Sequence, residues 1–192
     1  MKALTYILMI SIFGLFSCKT DTKLAEEKTE SGINLIYKPK NATSSGFEIR
    51  IIPQKPELEL QKEISVSLIK YLSKEFPNNE IIIRLDSTIS FVDCGQGFEK
   101  VVCPNCGKEI SMDFWQESMD MASRTNFKDM SIKTNCCQTL TDLNSLNYKA
   151  DCGFAKSIIT VNDPNTKIND SKILLGLKRI SGIDYKLIFA HI

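Results

Sequence analysis

The feature that most constrains this chain is a short cysteine knuckle, Cys103-Pro104-Asn105-Cys106-Gly107, answered after 29 intervening residues by the adjacent pair Cys136-Cys137. In such a knuckle two thiolates converge on one point, the proline stiffens the turn, and the glycine lets backbone amides face sulfur. A Zn²⁺ ion takes four donors at about 2.3 Å in a tetrahedral array, so one knuckle is half a site and a second pair is required. Cys136 and Cys137 supply it, and any fold must then bring Cys103, Cys106, Cys136 and Cys137 to one place. The 29 residues exceed the common ribbon spacing of about 15 to 20. The excess predicts a helix near Met112 to Arg124, with Met112, Trp115, Met119 and Ala122 along one face as a core stripe.

Other chemistries are open to the same residues. A Cys-Pro-x-Cys run also serves thiol-disulfide exchange, with Cys103 and Cys106 as the dithiol, but there the first cysteine opens a helix after a strand. Here Gly107 follows at once, and Lys108-Glu109-Ile110 continue like a hairpin. Haem attachment needs histidine in the place of Gly107. Catalytic zinc keeps an open position and usually takes histidine or carboxylate ligands; the single histidine, His191, stands next to the end and reads as an ordinary strand-end residue. In an oxidising compartment the four cysteines could instead pair as disulfides, although a knuckle glycine serves a metal better.

The beginning of the chain bears on compartment. Lys2 precedes an apolar run from Ala3 to Phe16, the length of a signal-peptide core and short of the roughly 20 residues of a comfortable span. It ends at Leu15-Phe16-Ser17-Cys18, similar to a bacterial lipobox, with a bulky Phe16 inside it. There the Cys18 thiol receives a diacylglycerol with palmitate-type chains, and residues 1–17 are removed. The alternative is a short uncleaved anchor. Lys19, with no aspartate after the cysteine, favours the outer membrane. Residues 18–45 are rich in Lys, Thr, Glu and Ser around one apolar island, Ile33 to Tyr37. They read as a flexible tether reaching about 25 to 30 Å.

The remaining residues, 46–192, suit one domain. Gly46 to Pro53 alternates as a strand, Leu58 to Glu75 has helical spacing, and Ile81-Ile82-Ile83 and Thr88 to Val92 read as two more strands, the first buried on both faces. A similar unit closes the chain: strand Lys156 to Val161, a helix capped by Asp170 or Ser171 and stopped at Gly182, and strand Tyr185 to His191. This order predicts an α+β fold, a two-layer split-βαβ sandwich of ferredoxin-like type, with a zinc-ribbon-like insertion at about 94–152.

Charge then removes one class of function. Without residues 1–17 the 24 cations lose Lys2, leaving 23 against 23 anions. The stretch from Cys94 to Cys152 carries six basic residues against eight acidic ones, so a nucleic-acid-binding ribbon lacks its electrostatic footprint. The expectation is a non-catalytic, lipid-anchored binding or interaction module with structural Zn²⁺, a membrane and an unidentified protein or ligand as partners, and no nucleic acid. An exported redox protein using Cys103 and Cys106 is the alternative, and an envelope inhibitor or immunity-type lipoprotein a third.

In order, the motifs resemble those of an uncharacterised bacterial family of small α/β proteins reading F-V-D-x-G, C-P-x-C-G, a Trp-bearing helix, C-C-G, L-N-D-L-x-Y, G-F-A and a C-terminal A-H. The matching residues are Phe91-Val92-Asp93-Cys94-Gly95, the knuckle, Trp115, Cys136-Cys137, Leu143 to Tyr148, Gly153-Phe154-Ala155 and Ala190-His191. The resemblance covers Phe47 to Ile192 and implies an elongated zinc-ribbon insertion in a small α/β domain, with no known activity. Gln138 departs from the family's glycine and Ser145 from its aspartate, which removes any role resting on that acid. Cys94 stands where the family commonly has proline and Cys152 where it has a small residue. Neither is therefore an expected metal ligand, and the departure implies a disulfide between them at the base of the insertion, stabilising by about 4 kcal/mol through chain entropy; the alternative is two unrelated buried thiols.

Overall fold

A computed structural model describes residues 24–43, 45–164 and 168–192. The fold is mixed α+β: a six-stranded antiparallel sheet, three α-helices and two small accessory sheets. The large sheet has the order β1 (Leu24–Lys28), β2 (Gly32–Tyr37), β4 (Ile81–Val92), β10 (Gly153–Asn162), β3 (Phe47–Pro53) and β11 (Tyr185–His191). Among the described residues no helix is long and apolar enough to cross a membrane.

Alternation decides the strands. In β3, Ile49 and Ile51 point into the core while Glu48 and Arg50 occupy the opposite face, and Ile81, Ile83, Ile159 and Val161 do the same in β4 and β10. Ile82 is only half-buried, so the apolar run Ile81-Ile82-Ile83 is fully covered on one face rather than two. That covered face lies under α1 (Lys62–Glu75) and α3 (Asp170–Ser181), which contribute Leu68, Ile69, Leu72, Ile173 and Leu177. Helix α1 begins later than its apolar spacing suggests: Leu60 is buried ahead of it, its N–H donating to the Ser157 hydroxyl at 3.1 Å. The cap of α3 is Asn169, whose side chain accepts the Lys172 N–H at 3.0 Å, one residue before the two expected candidates.

Two expectations are corrected. The tether over 18–45 is wrong where it can be seen: β1 and β2 form a hairpin, and β2 pairs with β4 from Gly32 opposite Asp86 to Tyr37 opposite Ile81. The island Ile33 to Tyr37 alternates, and Leu35 and Tyr37 are 1% and 9% exposed, so it buries enough apolar surface to order its neighbours. Strand β1 is exposed at every residue and is held by its ladder to β2 and an ion pair between Glu26 and Lys62. The second correction merges Ile81 to Ile83 and Thr88 to Val92 into the single strand β4. Between the pairs Leu85 opposite Ser157 and Ser90 opposite Ala155, β4 bulges. Asp86, held by the Ser31 hydroxyl at 2.7 Å, makes that polar step a bulge and not a turn.

Between β4 and β10 the chain makes an excursion. It contains β5 (Val101–Val102), β6 (Glu109–Ile110), α2 (Met112–Ser123), β7 (Ser131–Lys133), β8 (Leu140–Asp142), a 3-10 turn and β9 (Asn147–Tyr148). This segment has its own core of Val101, Ile110, Ala122, Ile132, Leu143 and Leu146, joined to the sheet through Ile89 and Phe154. Trp115, Met119 and Ala122 of the α2 stripe face it, whereas Met112 is 39% exposed.

Candidate metal centre

The two accessory hairpins present the sulfurs. The turn between β5 and β6 is closed by Cys103 N–H to the Lys108 carbonyl at 2.9 Å and Gly107 N–H to the Cys103 carbonyl at 3.0 Å. The turn between β7 and β8 repeats both bonds one for one: Thr134 N–H to the Thr139 carbonyl at 3.0 Å, and Gln138 N–H to the Thr134 carbonyl at 2.9 Å. Thr134 is thus the backbone counterpart of Cys103, Cys137 of Cys106, and Gln138 of Gly107. Both closing residues have positive φ, +71° at Gly107 and +57° at Gln138. The second turn therefore has the backbone of a knuckle with threonine at the first cysteine's position, and its other sulfur comes from Cys136, the counterpart of Asn105.

All four sulfurs, of Cys103, Cys106, Cys136 and Cys137, lie within 4.8 Å of one another. Two sulfur contacts run between the hairpins, Cys103 to Cys137 at 3.7 Å and Cys106 to Cys136 at 3.4 Å. Disulfide sulfurs sit near 2.05 Å, whereas tetrahedral ligands at 2.3 Å from one ion are separated by about 3.8 Å. The observed edges match the second arrangement, and the four cysteines are unbonded. Cys103 is buried, Cys136 and Cys137 are half-buried against the insertion core, and Cys106 is exposed.

The surroundings favour a negative sulfur at Cys137 and Cys103. Cys137 meets the hydroxyls of Thr134 at 3.4 Å and Thr139 at 3.3 Å, and the Asn105 amide donates to it at 3.6 Å. Those contacts, Thr134 foremost, bring its pKa down to about 5. The Cys106 backbone N–H likewise lowers Cys103, against an opposing effect of burial. At Cys106 the Lys108 backbone N–H is outweighed by burial and by the Cys136, Cys137 and Cys103 thiols, and the pKa is pushed up to about 12. Thiolates crowd one another here, and a divalent cation would relieve the crowding by displacing the remaining protons.

Asn105, Thr134 and Thr139 did not stand out in the sequence. The signal is visible once Thr134-Asn135-Cys136-Cys137-Gln138-Thr139 is laid against Cys103 to Lys108. His191 is exposed and stacks on Phe47, with ring centroids 4.4 Å apart. Among the described residues the four cysteines are the only group placed to hold a metal ion. Cys94 and Cys152 lie in a different core, with sulfurs 3.8 Å apart and no bond between them. Cys18, the expected lipid attachment, is outside the described residues.

Comparisons of the chain with protein-family models, with curated proteins and with solved structures return no match.

Proposed function

We propose that this chain is a non-catalytic, lipid-anchored binding module of the bacterial envelope, with a structural Zn²⁺ ion holding a ribbon-like insertion on a split-βαβ sandwich. The observation that carries the metal is the pair of sulfur edges, 3.4 and 3.7 Å, presented by two turns with the same backbone bonds. Four thiolates suit zinc or an iron-sulfur cluster, and four sulfurs gathered within 4.8 Å of one another suit one zinc ion. With every position taken by protein, the ion has no place for substrate, which makes its role structural. The order β4-β10-β3-β11, with α1 following β3 and α3 following β10, supports the split-βαβ reading. The family resemblance stands as part of the same proposal.

The redox alternative requires Cys103 and Cys106 to pair with each other. Cys103 ends a strand and enters a hairpin, and each of the two has a close sulfur neighbour in the facing turn. Both facts favour the metal. The test is elemental analysis with thiol counting on the full chain isolated from its native envelope. One zinc per chain, with four thiols that react only after chelation, is expected. No metal together with a titrating Cys103–Cys106 disulfide would transfer the assignment to redox chemistry.

A further inference from the structure

Two cysteines stand outside the centre, at the points where the insertion leaves the sheet and returns to it. Cys94 follows β4 and Cys152 directly precedes β10. Their strands pair through Val92 opposite Gly153, which brings together sulfurs 58 residues apart in sequence to 3.8 Å. Both side chains are buried, 3% and 5% exposed, in a junction core with Val92, Ala155, Ile158 and Ile188. The backbone at each is fastened to the edge strand β11. The Cys94 carbonyl accepts the His191 N–H at 3.1 Å, and the Cys152 carbonyl accepts from the Lys186 ammonium at 2.8 Å. Gly95 completes the clip with φ +65°, so close to β11 that a Cβ would lie 2.1 Å from the His191 carbonyl oxygen.

We propose that Cys94 and Cys152 are a disulfide site that closes the base of the insertion and holds both of its feet against the end of β11. The site goes beyond the metal reading and is independent of which ion the other four sulfurs hold; it takes from the proposed function only the export that brings the chain to an oxidant. That oxidant is a low-molecular-weight or protein disulfide. One cysteine thiolate attacks it, forming a mixed disulfide and releasing one thiol. The second cysteine thiolate then attacks the first cysteine's sulfur and releases the other thiol. One S–S bond breaks, one forms, and the two cysteine protons end on the released thiols. Closure needs the sulfurs to approach by about 1.8 Å, within the reach of side-chain rotation between neighbouring strand ends. Burial, then the Cys94 sulfur, pushes the Cys152 thiol up to about 12, so it is a poor nucleophile once packed. The bond therefore forms while the chain folds, before the junction packs.

Differential labelling tests this on the full chain isolated from its native envelope. The chain is unfolded in denaturant, free thiols are blocked with one alkylating reagent in the presence of chelator, disulfides are then reduced and labelled with a second, and peptides are mapped. The expected map puts the second label on Cys94 and Cys152 and the first on Cys103, Cys106, Cys136 and Cys137. The first label on Cys94 or Cys152, or an unreduced crosslink from either to one of the four, overturns the proposal. Zinc measured on the same sample reads the metal assignment separately. In zinc-containing buffer, a phosphine reductant should lower the melting temperature of the wild type by about 10 °C. It should leave a Cys94→Ala/Cys152→Ala double variant unmoved. A wild type indifferent to reductant also overturns the site, and that result, like the map, does not depend on the variant folding.

Discussion

Gln138 occupies a left-handed backbone position that glycine fills in the facing turn, with φ of +57° against +71° at Gly107. A side chain there costs about 1 kcal/mol through the contact of Cβ with the backbone, partly offset by the greater freedom glycine has when unfolded. Gln138→Gly should therefore raise the denaturant midpoint of the metal-loaded protein, by about 0.5 to 1 kcal/mol at unchanged slope. A midpoint that stays or falls would remove the knuckle reading of that turn. Thr134 offers a second test, because its hydroxyl is the foremost cause of the low Cys137 pKa of about 5. Acid releases a thiolate-bound ion by returning protons to sulfur, and a sulfur with a depressed pKa resists until the pH is low. Thr134→Val raises that pKa, so the ion should leave at a higher pH than in the wild type, read as zinc released to a chromophoric chelator during acid titration. Release at the same pH would show that the hydroxyl does not tune the site. The four sulfurs were legible in the sequence because cysteine spacing reports ligand chemistry directly. The threonines were not, since their role follows from backbone bonds that make Thr134 the counterpart of Cys103.

At the scale of elements, β3, α2, α3 and β11 could be read from period and punctuation, because each buries one clear apolar face or stops at a residue such as Gly182 in its left-handed cap. The N-terminal hairpin could not. Strand β1 has no apolar alternation, and its order comes from pairing with β2, a tertiary cause that local composition does not carry. The long β4 was likewise hidden, since the polar pair Asp86-Ser87 interrupts the apolar pattern, and only the resumption of pairing with β10 at Ser90 shows one strand with a bulge. The proposed metal would organise the insertion in a way it does not organise the sheet. Its accessory strands are two or three residues long, and its core shares only Ile89 and Phe154, with part of Phe91, with the strands beneath. Cys103→Ser or Cys136→Ser should therefore abolish amide-exchange protection from β5 to β9 while β3, β4 and β10 keep theirs. Protection unchanged across the insertion in both variants would mean that the sulfurs do not organise it.

For the whole molecule, the chain behind residue 17 carries 23 cations and 23 anions, so neither phosphate backbones nor anionic surfaces attract it as a body. The proposed place at a membrane then rests on Cys18. Cys18→Ala should abolish incorporation of labelled fatty acid and release the protein from the membrane fraction; incorporation that persists would end the lipid assignment. Anchored or free, the molecule joins a sheet built by hydrophobic alternation to an insertion of short strands, whose two hairpins the proposed metal would join. X-ray absorption at the zinc edge, on the full chain purified from its native envelope, reads this directly. The account predicts one zinc per chain with four sulfur scatterers at about 2.3 Å and no light-atom ligand. A preparation without zinc, or one whose zinc is bound by fewer than four sulfurs, would contradict it.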